Sequence, residues 1–292
     1  MIRKHKIVLE ILKTFGGTLS RKMLQKLVFL FCECNDAKLY DFVPYKYGCY
    51  SFALASDQER LTTQGFLKNR EEWTLSKGIS FPKLDEEDRD GIDRLFARFG
   101  KLSETELLRY VYTAYPFYAI NSEIAHEILD KNELKVIAKI RNNVNNVALY
   151  SIGYEGLSLE SYLSKILAYD VKVVCDVRKN PISRKFGFSK GVFSSELNKV
   201  GVEYIHFPQL GIPSEYRQSL ETQADYDKLF KLYEKTILSK NLNFVEEISS
   251  IIDAKKRVAL LCYERDPKQC HRTRVANKIL EYRERDIKVI TQ

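Results

Sequence analysis

From residue 147 onward, short continuous apolar runs alternate with stretches of helical spacing. Val147-Ala148-Leu149-Tyr150-Ser151-Ile152, Val171-Lys172-Val173-Val174-Cys175, Glu203-Tyr204-Ile205-His206 and Val258-Ala259-Leu260-Leu261 read as four short strands. Tyr226 to Leu238, Phe244 to Ile252 and Arg272 to Tyr282 repeat apolar residues every three to four positions and predict helices covering a sheet, with Phe230, Tyr233 and Ile237 as ordinary core candidates. Strands alternating with helices predict an α/β domain with an open, mostly parallel sheet flanked by helices. The first 140 residues follow another pattern. Ile7 to Phe15 and Leu19 to Phe31 have helical spacing around Gly16-Gly17-Thr18, a further helix is expected near Ser51 to Gln64, and Gly65-Phe66-Leu67 through Trp73-Thr74-Leu75 suits a small β-wing. Asp85 to Asp90 opens a helix running to Phe99, its carboxylates favoured by the helix dipole, and Ser103 with Glu106 forms a capping box for the next. A mainly helical, winged-helix-like domain over 1–140 and an α/β domain over 147–292 are expected, joined by the polar Arg141 to Asn146.

Each strand of the second half runs directly into polar residues. Gly153-Tyr154-Glu155-Gly156, Asp176-Val177-Arg178, His206-Phe207-Pro208-Gln209-Leu210-Gly211 and Cys262-Tyr263-Glu264 follow the four runs, and Cys270-His271-Arg272 opens the last helix. Parallel, adjacent strands would bring Glu155, Asp176, Arg178, His206, Glu264, His271 and Arg272 to one rim, where open α/β sheets bind ligands and a helix N-terminus offers free N–H groups to an anion.

These motifs, in this order, resemble the domain of unknown function 488 family over roughly residues 147 to 292. The resemblance strengthens the rim as a site, and by annotation it implies a link to nucleic-acid modification or repair. In the first half, Leu24-Gln25-Lys26-Leu27-Val28-Phe29-Leu30, Tyr47-Gly48-Cys49-Tyr50-Ser51 and Leu107-Leu108 to Tyr115-Pro116 resemble the Panacea-type antitoxin domain and related phage-associated proteins, with Cys49 where that family has Pro. Together the two resemblances imply phage defence or DNA modification.

Charge sharpens the choice of partner. The chain carries a net +8, of which residues 1–145 hold +3, less than a dedicated DNA-binding arm would show, so a protein partner suits the first half as well as nucleic acid does. Lys179, Arg184, Lys185 and Lys190 crowd the loop after the second strand with Phe186, Phe188 and Phe193 among them, a mixture suited to a phosphate backbone and a stacked base. No apolar run approaches the roughly 18 residues of a membrane span and no secretory signal is recognised, so a cytoplasmic protein without membrane contact and with reduced thiols is expected.

The rim residues admit several chemistries. Asp176 and Glu264 beside Arg178 and Arg272 suit stabilisation of an oxocarbenium ion or activation of water, with Glu155 nearby. The arginines and Lys185 would hold phosphate, His206 or His271 would protonate a leaving base, and Tyr154 or Phe188 would stack on it. Cleavage of an N-glycosidic bond in nucleic acid or a nucleotide is the specific expectation; a non-catalytic nucleic-acid-binding module and a metal- or thiol-dependent hydrolase are the alternatives. Cys270 at a helix N-terminus suits a thiolate nucleophile. The spacing Cys262-x7-Cys270-His271 lacks the short pairs of zinc motifs, and a fourth ligand would have to come from His206 or Cys175 on adjoining strands, so neither metal nor cofactor is expected. Plainer readings compete: ion pairs tying strand ends, thiols packed beneath the crevice, and loop rings tucked onto the sheet.

Overall fold

A computed structural model describes residues 1–68, 71–80, 82–141, 146–217, 220–284 and 287–291. The chain divides into two compact units, Met1–Asn143 and Val144–Gln292. Residues 142–145 of the polar stretch expected to join the halves lie outside the described residues.

Unit 1 is mainly helical, with α1 (Arg3–Thr14), α2 (Arg21–Cys34), α3 (Phe52–Thr63), α4 (Glu86–Phe99), α5 (Glu104–Ala114), α6 (Ala125–Ile128) and α7 (Lys131–Arg141). Four short strands accompany them: β1 (Thr18–Leu19), β2 (Val43–Tyr45), β3 (Gly48–Tyr50) and β4 (Trp73–Thr74). Apolar stripes on α1, α2, α4 and α5 meet in one core, including Ile7, Leu24, Leu27, Ile92 and Leu107. Ser20 caps α2 by accepting from the backbone N–H of Met23, and Ser103 and Glu106 make the expected capping box on α5. The β2–β3 hairpin turns through Lys46-Tyr47 and is tied to α2 by polar contacts: Gln25 Nε2 donates to Ser51 O, Gln25 Oε1 accepts from Ser51 N, and Lys26 Nζ donates to Cys49 O. β1 pairs antiparallel with β4, and Leu67 bridges Leu75, so the segment expected to form a wing returns alongside the turn between α1 and α2.

Unit 2 holds a five-stranded, all-parallel sheet. Its elements are β5 (Ala148–Gly153), α8 (Leu159–Ala168), β6 (Val173–Asp176), α9 (Lys190–Lys199), β7 (Glu203–His206), α10 (Gln223–Thr236), α11 (Leu242–Lys255), β8 (Arg257–Cys262), α12 (Arg272–Tyr282) and β9 (Lys288–Thr291), with strand order β7-β6-β8-β5-β9. The three inner strands are buried throughout, which is why their sequences are continuous apolar runs, and the two edge strands carry the partly exposed residues. On one face Leu149, Val173, Cys175, Val258, Leu260 and Cys262 pack with Phe230, Tyr233, Ile248, Val275 and Ile279 from α10, α11 and α12. Alternate residues such as Ile152, Val174, Ala259 and Leu261 point the other way and are equally buried. After β6 the chain moves outward to β7, whereas after β8 it moves in the opposite direction to β9. The carboxyl ends of β6 and β8 therefore flank a topological switch point, where an α/β sheet opens a crevice. Among the described residues, no helix is long and apolar enough to cross a membrane.

Candidate functional site

A cavity of about 310 Å³ opens at this switch point. Its lining comes from three places: the turn after β8 (Cys262, Tyr263), the loop after β6 (Arg178, Lys179, Arg184 among others) and the segment before α10 (Ile212, Ser214, Arg217), with Tyr154 from the end of β5. Four of these residues are cationic and none is acidic. Close backbone approach fixes the walls. A Cβ on Gly153 would stand 1.9 Å from Glu264 O, and one on Gly211 would stand 2.1 Å from Lys179 N, so each loop packs where only glycine fits.

The rim is built in two layers. In the inner layer, Asp176 is 0 % exposed and its carboxylate is saturated: Oδ1 accepts from Arg178 N at 3.0 Å and Arg178 Nε at 2.9 Å, and Oδ2 accepts from Arg178 Nη2 and Tyr204 OH at 2.6 Å each. Arg178 also donates to Tyr154 OH at 2.9 Å and Phe188 O at 3.0 Å; burial lowers its pKa, but the Asp176 carboxylate outweighs this and raises it. Arg272 is 0 % exposed, donating to Ser151 Oγ at 3.0 Å and to the carbonyls of Glu264 and Arg265. Phe188 is fully buried and stacks on Tyr154 at 4.2 Å, so its ring is spent inside the protein. These positions correct the expectation that Asp176, Arg272 and Phe188 face a ligand, because all three are consumed in holding the rim together. His206 is half-buried, its Nε2–H donating to Arg178 O at 2.9 Å, and Glu155 accepts from the backbone N–H of Arg265 at 2.9 Å.

The outer layer faces the cavity. Arg184 lines it, whereas the adjacent Lys185 does not, and the exposed ring of that loop is Phe186, 58 % accessible. Beneath them Cys262, Glu264, Cys270 and His271 converge, with one potential ligand atom from each lying within 4.8 Å of the others. Cys262 Sγ and Cys270 Sγ each stand 3.0 Å from Glu264 Oε2, and Cys262 Sγ stands 3.6 Å from His271 Nδ1. Arg217 Nη1 donates to Glu264 Oε1 at 2.7 Å, linking the cluster to the cavity wall. The His271 Nε2–H donates to Val177 O at 2.9 Å, so Nδ1 is turned toward the sulfur.

Electrostatics distinguish the two thiols. Burial pushes the Cys262 thiol up, but the Cys270 S–H, the His271 imidazole and Glu264 bring it well below the usual thiol range. Burial and the neighbouring Cys262 thiolate and Glu264 carboxylate hold Cys270 well above it. The lowered thiol of the pair is therefore Cys262, two residues beyond Leu260 of β8, while the thiolate was expected at Cys270. Burial lowers His271 while the Cys262 thiolate more than restores it, and burial together with that thiolate raises Glu264. All six cysteines are free.

Linear spacing argued against a metal cluster, but the loop from Cys262 to Cys270 doubles back and brings the Glu264 carboxylate beside both sulfurs. Arg217 carried no periodic or motif signal; only its place six residues beyond Gly211 could have marked it.

No curated protein and no solved structure matches the chain. Residues 158–279 match the family described as Domain of unknown function DUF488, a span that takes in β6, β7, β8 and nearly all of α12 and leaves unit 1, the Ser151 to Gly156 motif and β9 outside.

Proposed function

We propose that unit 2 is a hydrolase acting on a nucleotide or nucleic acid, with cleavage of an N-glycosidic bond as its specific reaction and Glu264 as its reacting carboxylate. The observation that carries this is the contact chain from cavity to cluster: Arg217 on the wall donates to Glu264, whose other oxygen meets both sulfurs. Lys179 and Arg184 line the same cavity with no ion-pair partner among the described residues, which suits them to a phosphate. Tyr263, 45 % exposed at the cavity edge, offers a face for a base. In the reaction, Glu264 takes a proton from a water whose oxygen attacks the anomeric carbon; the base leaves with the electrons of the broken bond and receives that proton back. Asp176 supports the reaction from behind, by fixing Arg178.

For unit 1, the returning β4 strand beside β1 and the α1–α2 turn support a winged-helix-like arrangement, and the low net charge favours a protein partner over DNA.

The test incubates the purified protein with single- and double-stranded DNA and RNA carrying ordinary and modified bases, and follows products by mass spectrometry. Base release that disappears in Glu264→Gln and weakens in Arg184→Ala is expected. Binding that is salt-sensitive but accompanied by no released base or altered product would replace the hydrolase with a binding module.

A further inference from the structure

Two thiols, an imidazole and a carboxylate converge beneath the cavity, with one potential ligand atom from each within 4.8 Å of the others. We infer that Cys262 Sγ, Cys270 Sγ and His271 Nδ1 hold a zinc-class divalent cation, with Glu264 facing its fourth position from the cavity side. The site rests on donor geometry alone and stands whether or not the cavity binds a nucleotide.

Three observations carry it. First, a tetrahedral zinc with Zn–S of about 2.3 Å and Zn–N of about 2.0–2.1 Å separates a sulfur from a nitrogen ligand by about 3.6 Å. Cys262 Sγ and His271 Nδ1 stand 3.6 Å apart. Second, metal-binding histidines donate their far ring N–H to a carbonyl or carboxylate, which fixes the tautomer and aims the near nitrogen at the metal. His271 Nε2–H does this to Val177 O at 2.9 Å. Third, the donor set selects the ion: thiolate and imidazole ligands favour zinc-class metals over magnesium or calcium, which take oxygen.

Glu264 differs from the other three. Its Oε2 lies 3.0 Å from each sulfur, inside the roughly 3.5 Å edge expected between sulfur and oxygen ligands of one zinc, and its second oxygen is held by Arg217. It stands beside the metal position, tethered to the cavity wall. Three protein ligands with an adjacent carboxylate is the division used by catalytic zinc sites, in which the carboxylate takes the proton of bound water, whereas closed structural sites use four.

The experiment uses the full chain and metal alone. Elemental analysis of the purified protein should give about one zinc per chain. After stripping with a chelator, titration with Co²⁺ should produce the sulfur-to-cobalt charge-transfer band of thiolate ligation. Cys270→Ser should weaken Co²⁺ affinity at least 10-fold and lower the band, His271→Gln should weaken affinity by a similar factor, and Cys175→Ser, at a buried thiol outside the cluster, should change neither. Glu264→Gln should keep the band, with affinity weakened by no more than the about 10–100-fold typical of groups beside a metal's ligands. Circular dichroism confirms that each variant is folded. Folded wild-type protein that contains no zinc and develops no band overturns the site, as does a Cys175→Ser loss equal to that of Cys270→Ser; loss of metal in Glu264→Gln overturns the open fourth position. Normal metal binding without base release would count against the proposed hydrolase and leave the metal site standing.

Discussion

Replacing Asp176 with Ala should destabilise unit 2 rather than merely silence it. The Asp176 carboxylate accepts Arg178 Nε at 2.9 Å, Arg178 Nη2 at 2.6 Å and Tyr204 OH at 2.6 Å, with the ion pair 0 % and 6 % exposed on its two sides. Removing it strands a buried guanidinium that keeps only Tyr154 OH and Phe188 O. Breaking a buried ion pair from one side costs about 3–5 kcal/mol, a large share of the roughly 5–15 kcal/mol that holds a domain together. At about 2–4 °C per kcal/mol for a domain of this size, the melting temperature of unit 2 should fall by about 6–20 °C. The sole tryptophan, Trp73, lies in unit 1, so hydrogen exchange across β6 and β8 with far-ultraviolet circular dichroism is the measurement to use. Asp176→Asn keeps an acceptor and should lose less, and turnover per folded molecule should survive in it. The double variant Asp176→Leu with Arg178→Met removes both charges and should recover most of the stability. An Asp176→Ala protein within about 0.5 kcal/mol of wild type, the range of ordinary surface changes, would refute the argument. So would a fully folded Asp176→Asn protein with no activity, since that marks a reacting carboxylate.

Two further outcomes follow from the packing of each unit. Gly153→Ala drives a Cβ into Glu264 O, a contact no rotamer can relieve, and should cost about 1–3 kcal/mol or more in overpacking, read as a lowered melting temperature of unit 2; an unchanged one would mean that the two loops do not touch. In unit 1, burial pushes the Asp57 carboxyl up, but Lys4 at 2.5 Å, His5 at 3.1 Å and Tyr40 OH at 2.9 Å hold it below the ordinary aspartate value. A depressed carboxyl adds stability above its unfolded pKa of about 3.9 and loses it as pH falls through the folded value, so unit 1 should weaken below about pH 4. Asp57→Asn should flatten that pH dependence and cost about 1–3 kcal/mol at neutral pH, followed through Trp73 fluorescence; an unaltered acid limb would remove Asp57 from the account.

The legible parts of this fold were those that burial on both faces writes into sequence. β5, β6 and β8 are inner strands, so their runs are mainly apolar, and β7 was read as a fourth short strand running into Phe207-Pro208-Gln209-Leu210-Gly211. β9 went unread because an edge strand of four residues, Lys288-Val289-Ile290-Thr291, buries too little to leave a pattern. Convergence on one rim was equally legible, since parallel strands must end on the same side. Depth within that rim was not. Asp176 and Arg178 are two residues apart, as Cys262 and Glu264 are, yet the first two close on each other as a buried ion pair, whereas Glu264 turns its second oxygen to Arg217 on the cavity wall. Nothing in the linear order separates Phe188 from Phe186 either, because a loop has no period to say which ring turns inward. Sequence pattern therefore finds the rim, while tertiary contacts sort it into a layer of buried ion pairs and hydrogen bonds, Asp176, Arg178 and Arg272, and a layer at the cavity, Arg184 and Arg217, to which Glu264 is tied. Substitutions in the first should be read by unfolding and those in the second by binding and turnover. The Cys262–His271 pair stands between the two: its atoms are buried as deeply as the inner layer, yet Glu264 and Arg217 connect it to the cavity, which is the position a metal centre needs if it is to be both rigid and reached.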